Sequence, residues 1–177
     1  MIHAGAYGRI MRALIGVGAA ALLAVGLMSG CSGSDEDASQ GLSQDAVVSY
    51  AYHDSSVPPQ YHRSESLTVT QGEAHLVIDS YGDVLADERV PTPTAVWDLL
   101  GSTLPSVEGL EAQPDEDDCT GGTGIDLVIA SGEETFLDLR PQFCGGTNEA
   151  LQAPIQTWIA PARELFPPTD ELAPEGE

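Results

Sequence analysis

Residues Ala13 to Met28 form an uncharged, mostly apolar run of sixteen residues, and this run sets how much of the 177-residue chain can fold into one body. A bilayer-spanning helix needs about 20 consecutive apolar residues, so the run is short for a permanent span. Arg9 and Arg12 precede it, and no acid occurs before Asp35. A basic start, a short apolar stretch and small residues at its end are the pattern of a leader that is removed. Translation then starts at Met1 or at Met11. Beyond the run, Ser32–Gly41 is polar, acidic and rich in Gly and Ser, and it has too little apolar area to offset ordering entropy. The last stretch, Pro167–Glu177, is rich in proline and acid and is expected to fray. The foldable part is therefore 46–166, long enough to bury about two-thirds of its unfolded surface.

The run closes on Leu27-Met28-Ser29-Gly30-Cys31. This stretch resembles the lipobox of bacterial lipoproteins, with Ser29 and Gly30 as the small residues before the cysteine. It departs from the usual pattern in having Met28 three places before Cys31, with Leu27 one place earlier. The resemblance implies that 1–30 is a lipoprotein signal peptide and that Cys31 is lipidated. It further implies that 31–45 is a disordered tether with a reach of about 20 Å, and that the domain works on the extracytoplasmic face of the cell membrane. One acyl chain anchors only marginally, whereas the two or three of a bacterial lipoprotein hold at ~0.8 kcal/mol per buried CH₂.

Charge narrows the possible partners. There is no lysine, the whole chain carries a formal charge of −22, and four arginines beyond residue 30 face all 28 acids. Nucleic-acid binding requires Lys or Arg to displace phosphate counterions, and no such patch can be assembled from Arg63, Arg89, Arg140 and Arg163. Anionic headgroups are disfavoured for the same reason, which leaves the lipid anchor as the membrane contact.

Within 46–166 the alternation of apolar and polar residues predicts strands. Val48, Tyr50 and Tyr52 share one face of the first. Leu67 and Val69 mark a second, and Ala74–Tyr81 a third, joined to the second by a turn at Gln71–Glu73. A turn at Gly82-Asp83 leads to a short strand at Val84–Ala86. Thr92 and Pro93 read as N-cap and first residue of a helix that Pro105 ends. Gly124–Ala130 and Thr135–Leu139 form a second hairpin around Ser131-Gly132. From Asn148 to Phe166 an apolar stripe of Leu151, Ile155, Trp158, Ile159, Ala162 and Leu165 predicts helix, broken or kinked at Pro154 and Pro161. The order predicts an α+β domain: an antiparallel β-sheet of four to six strands with two helical segments packed on one face.

Cysteine arithmetic adds one disulfide. With Cys31 taken by lipid, Cys119 and Cys144 remain as an even pair in an oxidising compartment. A two-residue Ser131-Gly132 loop, continued outward, sets Cys119 opposite Cys144, and the loop it closes is worth ~3.5 kcal/mol in the chain-entropy treatment. Gly145-Gly146-Thr147 before the last helix could take an anion, though glycines beside a disulfide need no ligand. His53, His62 and His75 have no HxxxH or HExxH spacing, so no metal or other cofactor is expected. Asp115–Asp118 lacks the spacing of a calcium loop and reads as a solvated turn.

Asp54–Ser64, Ser80–Asp87 and the two Cys-Gly-Gly-type pieces are similar to a group of small secreted actinobacterial lipoproteins of unassigned function. The resemblance covers about residues 46–150 and implies compartment and domain extent, with no catalytic residues to carry over. The reading that follows is a lipid-anchored, non-enzymatic binding or accessory module for an envelope protein or ligand. Its candidate contacts are Tyr61, His62 and Arg63, since tyrosine and arginine are enriched at contact hot spots. The alternative is a serine/histidine-dependent envelope hydrolase using His62, or His53, with Ser64 or Ser66; no GxSxG elbow accompanies them.

Overall fold

Period-two alternation produces a run of consecutive antiparallel strands in the structure, a computed structural model that describes residues 41–114, 121–146 and 148–176. β1 (Ala46–His53), β2 (Ser64–Val69), β3 (Glu73–Ser80) and β4 (Asp83–Pro91) form a meander. β5 (Thr123–Ser131) then returns to the free side of β1, and β6 (Glu134–Leu139) pairs outside it. The order is β4-β3-β2-β1-β5-β6, with the two-residue β7 (Gln142–Phe143) beside β5. Seven strands replace the expected four to six: the short strand expected at Val84–Ala86 is the nine-residue β4, and β7, pairing at Thr123↔Phe143, is the addition.

Registers show which residues share a face. Tyr50 lies opposite Leu67 on one side and Leu127 on the other, and Leu67 lies opposite Leu76. All four are buried, together with Val48, Val69, Ile78, Ile125 and Ile129. α1 (Thr94–Thr103) and α3 (Glu149–Arg163) close this face with Trp97, Leu100, Ile155, Trp158 and Ile159. The α+β class and the antiparallel sheet are as the pattern requires. The opposite face carries Ser49, Ser66 and Thr68, all exposed. Among the described residues no helix is long and apolar enough to cross a membrane.

Turn chemistry differs from expectation in two hairpins. The β3–β4 turn is Tyr81-Gly82, with φ of 52° and 92°, and the Gly82 N–H donates to Asp79 Oδ1. Paired positive φ values match the right-handed twist of the flanking strands. A tyrosine there is strained, and the strain is offset by its ring, which stacks on His62 at 3.9 Å, and by its hydroxyl, which donates to the Val57 carbonyl. The β5–β6 turn is Gly132-Glu133, so Ser131 pairs with Glu134, and a bulge after Ile129 shifts the register again. The pairing of β5 with β7 ends at Thr123↔Phe143, one residue before Cys144.

The helical layer holds four segments where two were expected. Thr92 is not the cap: Pro93 is, its carbonyl accepting from Val96 and Trp97, while Thr92 Oγ1 is buried without a hydrogen-bond partner. Pro105 ends α1 and also opens α2 (Pro105–Glu108), a position where its missing N–H costs nothing. Pro154 and Pro161 do not break α3, which is continuous for 15 residues. They remove the donors that would reach the carbonyls of Ala150 and Thr157, two exposed residues, while Ile155, Trp158, Ile159 and Ala162 hold the helix to the core.

Both ends of the folded part extend beyond 46–166. Leu42 packs on the core, and Gly41-Leu42 crosses α1 at Gly101, where a Cβ would lie 2.8 Å from the Leu42 nitrogen. The stretch after Phe166 is not frayed. α4 (Thr169–Leu172) follows Pro168, Ala173 is buried, and the Gly176 N–H donates to the Gln60 carbonyl. The proposed leader, Cys31 and most of the tether lie outside the described residues.

Candidate functional site

Alternation along β1 puts Tyr50 and Tyr52 on the core face, and the pairing Tyr52↔Glu65 puts an acid beside them. A carboxylate on a core face needs a counter-charge. Arg163, in the last turn of α3, supplies it: Nε lies 2.9 Å from Glu65 Oε2 and Nη2 lies 3.2 Å from Oε1. The two side chains are 19% and 13% exposed. Arg163 Nη1 also donates to the Pro167 carbonyl and Nη2 to Thr169 Oγ1, and that hydroxyl donates to Glu65. One ion pair thus ties β2, α3 and α4 together.

Above the pair lies a cleft of about 540 Å³. Tyr50, Tyr52, Ile159, Phe166 and Pro168 give it apolar walls, and Glu65, Arg163 and Thr169 form its polar side. A larger groove of about 670 Å³ between the α1–α2 pair and α3 has no ionisable group. The Thr103 and Ser106 hydroxyls in it donate to nearby backbone carbonyls. A ligand site combines apolar walls with a few convergent polar groups, and the tyrosine cleft meets that description.

Burial, reinforced by the negative charge of Glu65, pushes the Tyr50 hydroxyl up to about 12, and a hydrogen bond with Gln156 opposes the shift. Burial and then Asp54 raise Tyr52 as well. Below pH ~10 a tyrosine is neutral in both folded and unfolded chains, so Tyr50 contributes no pH dependence there. Between the unfolded value and about 12 only the unfolded chain loses the proton, and stability falls. The expected loss is about 2–3 kcal/mol at most. Urea titrations from pH 8 to 12 should show this fall, and Tyr50→Phe should flatten it; an unchanged fall in the variant would reject the assignment.

A second, smaller cavity of about 280 Å³ shares Tyr52, Glu65 and Thr169 with the first. Here the sequence-predicted contacts can be placed. Tyr61 is 46% exposed and lines this cavity. Arg63 lines it too, but its donors are used within the chain: Nε to the Ala173 carbonyl, Nη2 to that of Pro174 and Nη1 to that of His62. His62 is buried under Tyr81, and its Nδ1 has no hydrogen-bond partner. The structure brings Tyr61 and Arg63 to one cavity and leaves His62 out of it.

Of the residues in the hydrolase reading, Ser64 and His53 have other partners, Ser66 is exposed on the opposite sheet face, and His62 is buried under Tyr81. Ser64 Oγ accepts the Asp54 N–H, His53 lies 3.3 Å from Asp126, and His75 bonds Asp87 at 2.8 Å. Among the described residues no side-chain hydrogen bond joins a histidine to a serine. No group of three or more possible metal ligands occurs among them either. The Gly145 N–H, a candidate anion donor, is taken by Glu149 from its own helix. Cys119 and the Asp115–Asp118 run lie outside the described residues.

Period-two reading missed Glu65, which stands at an inward position of β2 where an apolar residue is expected. That mismatch was the available signal. Its partner, 98 residues away, had none. Comparison with known protein families finds no match to the chain, and comparison with curated proteins finds no similar sequence.

Proposed function

We propose that this protein is a non-enzymatic binding or accessory module held on the extracytoplasmic face of the cell membrane by lipid on Cys31, with the Tyr50–Tyr52 cleft as its ligand seat. The cleft carries the binding half of this reading: an aromatic-walled cavity of about 540 Å³ with a single shielded ion pair is the size and chemistry of a small-ligand pocket. Leu27–Cys31 and the apolar run before it support the anchor, and keep the chain with the small secreted lipoproteins that it resembles. A Cys119–Cys144 staple fits the same compartment. Cys144 follows directly on β7, which pairs with the start of β5, so the backbone leading back from Thr123 toward Cys119 begins beside it.

Replacing Cys31 with alanine tests the anchor. The variant is expected to leave the membrane fraction and lose incorporation of labelled palmitate, whereas the parent keeps both. A variant that stays membrane-bound makes 13–28 a retained span and overturns lipidation. This outcome does not bear on the cleft.

A further inference from the structure

The two cavities described above adjoin across Tyr52, Glu65 and Thr169, which line both, and together make a two-part trough. We propose that this trough takes an organic cation, an ammonium or guanidinium group carried on an apolar body. The proposal rests on the cleft being the ligand seat.

Donor and acceptor accounting along the trough leads to this class. Two guanidiniums line it, and neither has a donor nitrogen left unbonded. Arg163 gives its nitrogens to Glu65, Pro167 and Thr169, and Arg63 gives its own to Ala173, His62 and Pro174. An anionic ligand would meet at most the three guanidinium N–H bonds that these contacts leave over, two on Arg63 and one on Arg163, and would face five carboxylates: Asp54, Glu65, Glu164, Asp170 and Glu175. Three of these, Glu164, Asp170 and Glu175, are exposed and make no hydrogen bond or ion pair within the described chain. Their lone pairs are available to a ligand.

The walls favour the same class. Tyr52 lines both halves and Tyr61 the outer one. The negative face of a tyrosine ring attracts a cation within about 6 Å, and Arg163 and Arg63 are already committed elsewhere. The inner half, walled by Ile159, Phe166 and Pro168, suits the apolar body, and the outer half suits the charge. The net charge of −22 raises the local concentration of any cation and speeds its arrival. A carboxylate ring without aromatic walls would bind metal ions and amines alike. Here the aromatic cavity selects an organic cation.

Three probes of one shape separate charge from shape: phenethylammonium, 2-phenylethanol and 3-phenylpropionate. Each is titrated into the full-length chain in neutral detergent and followed by chemical-shift changes at Tyr52 and Phe166. N-acetyl-arginine amide is run beside them, since the cation can come from a small amine or from a basic side chain of a partner. Phenethylammonium or the arginine amide is expected to bind at least tenfold more tightly than 2-phenylethanol, and to weaken with added salt. The tighter of the two cations identifies the source. 3-Phenylpropionate should give no shift. The double substitution Asp170→Asn with Glu175→Gln, at two exposed positions with no internal partners, should weaken cation binding at least threefold and leave 2-phenylethanol unchanged.

Equal binding of the three probes, or preference for the anion, overturns the cation inference while the cleft reading stands. No shift at Tyr52 and Phe166 with any probe overturns both. Cation binding that the double substitution leaves untouched overturns the assignment of charge selection to the outer half.

Discussion

Arg163→Ala is expected to destabilise the fold by about 3–5 kcal/mol, the range for removing one partner of a buried ion pair. The cost comes less from the lost attraction than from what remains. Glu65, at 13% exposure, is left on the core face with only the Thr169 hydroxyl to solvate it. The Pro167 carbonyl loses its donor as well, so the segment from Pro167 to Gly176 is freed at one end. Arg63 still holds the other end through Ala173 and Pro174. Urea unfolding at pH 7 measures the loss, and limited proteolysis should cut first near Pro167–Leu172. The double variant Glu65→Leu with Arg163→Met should recover most of the stability, because replacing both charges by apolar groups removes the stranded one. A single variant as stable as the parent would show the pair to be screened by solvent.

Trp158→Ala is expected to cost about 3–5 kcal/mol, the range for emptying a large aromatic site in a core. Trp158 is 3% exposed in the middle of α3, and its Nε1–H donates to the Leu100 carbonyl near the end of α1. Two terms are therefore removed together. Trp158→Phe separates them: much of the apolar volume stays, and the loss should fall to about 1–2 kcal/mol, the cost of removing a hydrogen bond from a carbonyl that keeps the Thr103 hydroxyl at 3.5 Å. Thermal unfolding of the pair gives both numbers. If the phenylalanine variant loses as much as the alanine variant, the hydrogen bond outweighs the packing at this site. A loss below 1 kcal/mol for alanine would contradict the burial of Trp158.

Local features were legible wherever one physical constraint acted alone. Val48, Tyr50 and Tyr52 alternate because β1 has one core face, and the stripe from Leu151 to Leu165 follows from a helix lying on that face. The α+β class follows from these patterns in their order. Readings failed where two constraints competed. Pro154 and Pro161 forbid two hydrogen bonds, but the core needs Ile155, Trp158 and Ile159 on one uninterrupted helix, and burial outweighs two bonds that water can replace. Tyr81 is a poor residue for positive φ, so local rules put the turn one residue late, at Gly82-Asp83; its stacking on His62 is a tertiary contact with no local trace. The acid-rich C-terminal stretch lacks the composition of a folded element, yet Arg63 and Arg163 hold it through backbone carbonyls, which composition does not report.

The candidate site divides along the same line. Tyr61 and Arg63 could be named from residue type and position in a proline loop, and both line the outer cavity. The inner cleft required two residues 98 positions apart to meet. By itself the sequence determined the six longer strands, the two longer helices, the strongly acidic composition and the lack of residues for a basic patch, because each depends on residue type and on periodicity along the chain. Only the tertiary structure decided that β1 sits mid-sheet between β2 and β5, that Glu65 pairs with Arg163, and that the C-terminal segment walls a cleft. Those depend on which surfaces bury each other best, a property of the whole packed chain that no short window of it contains.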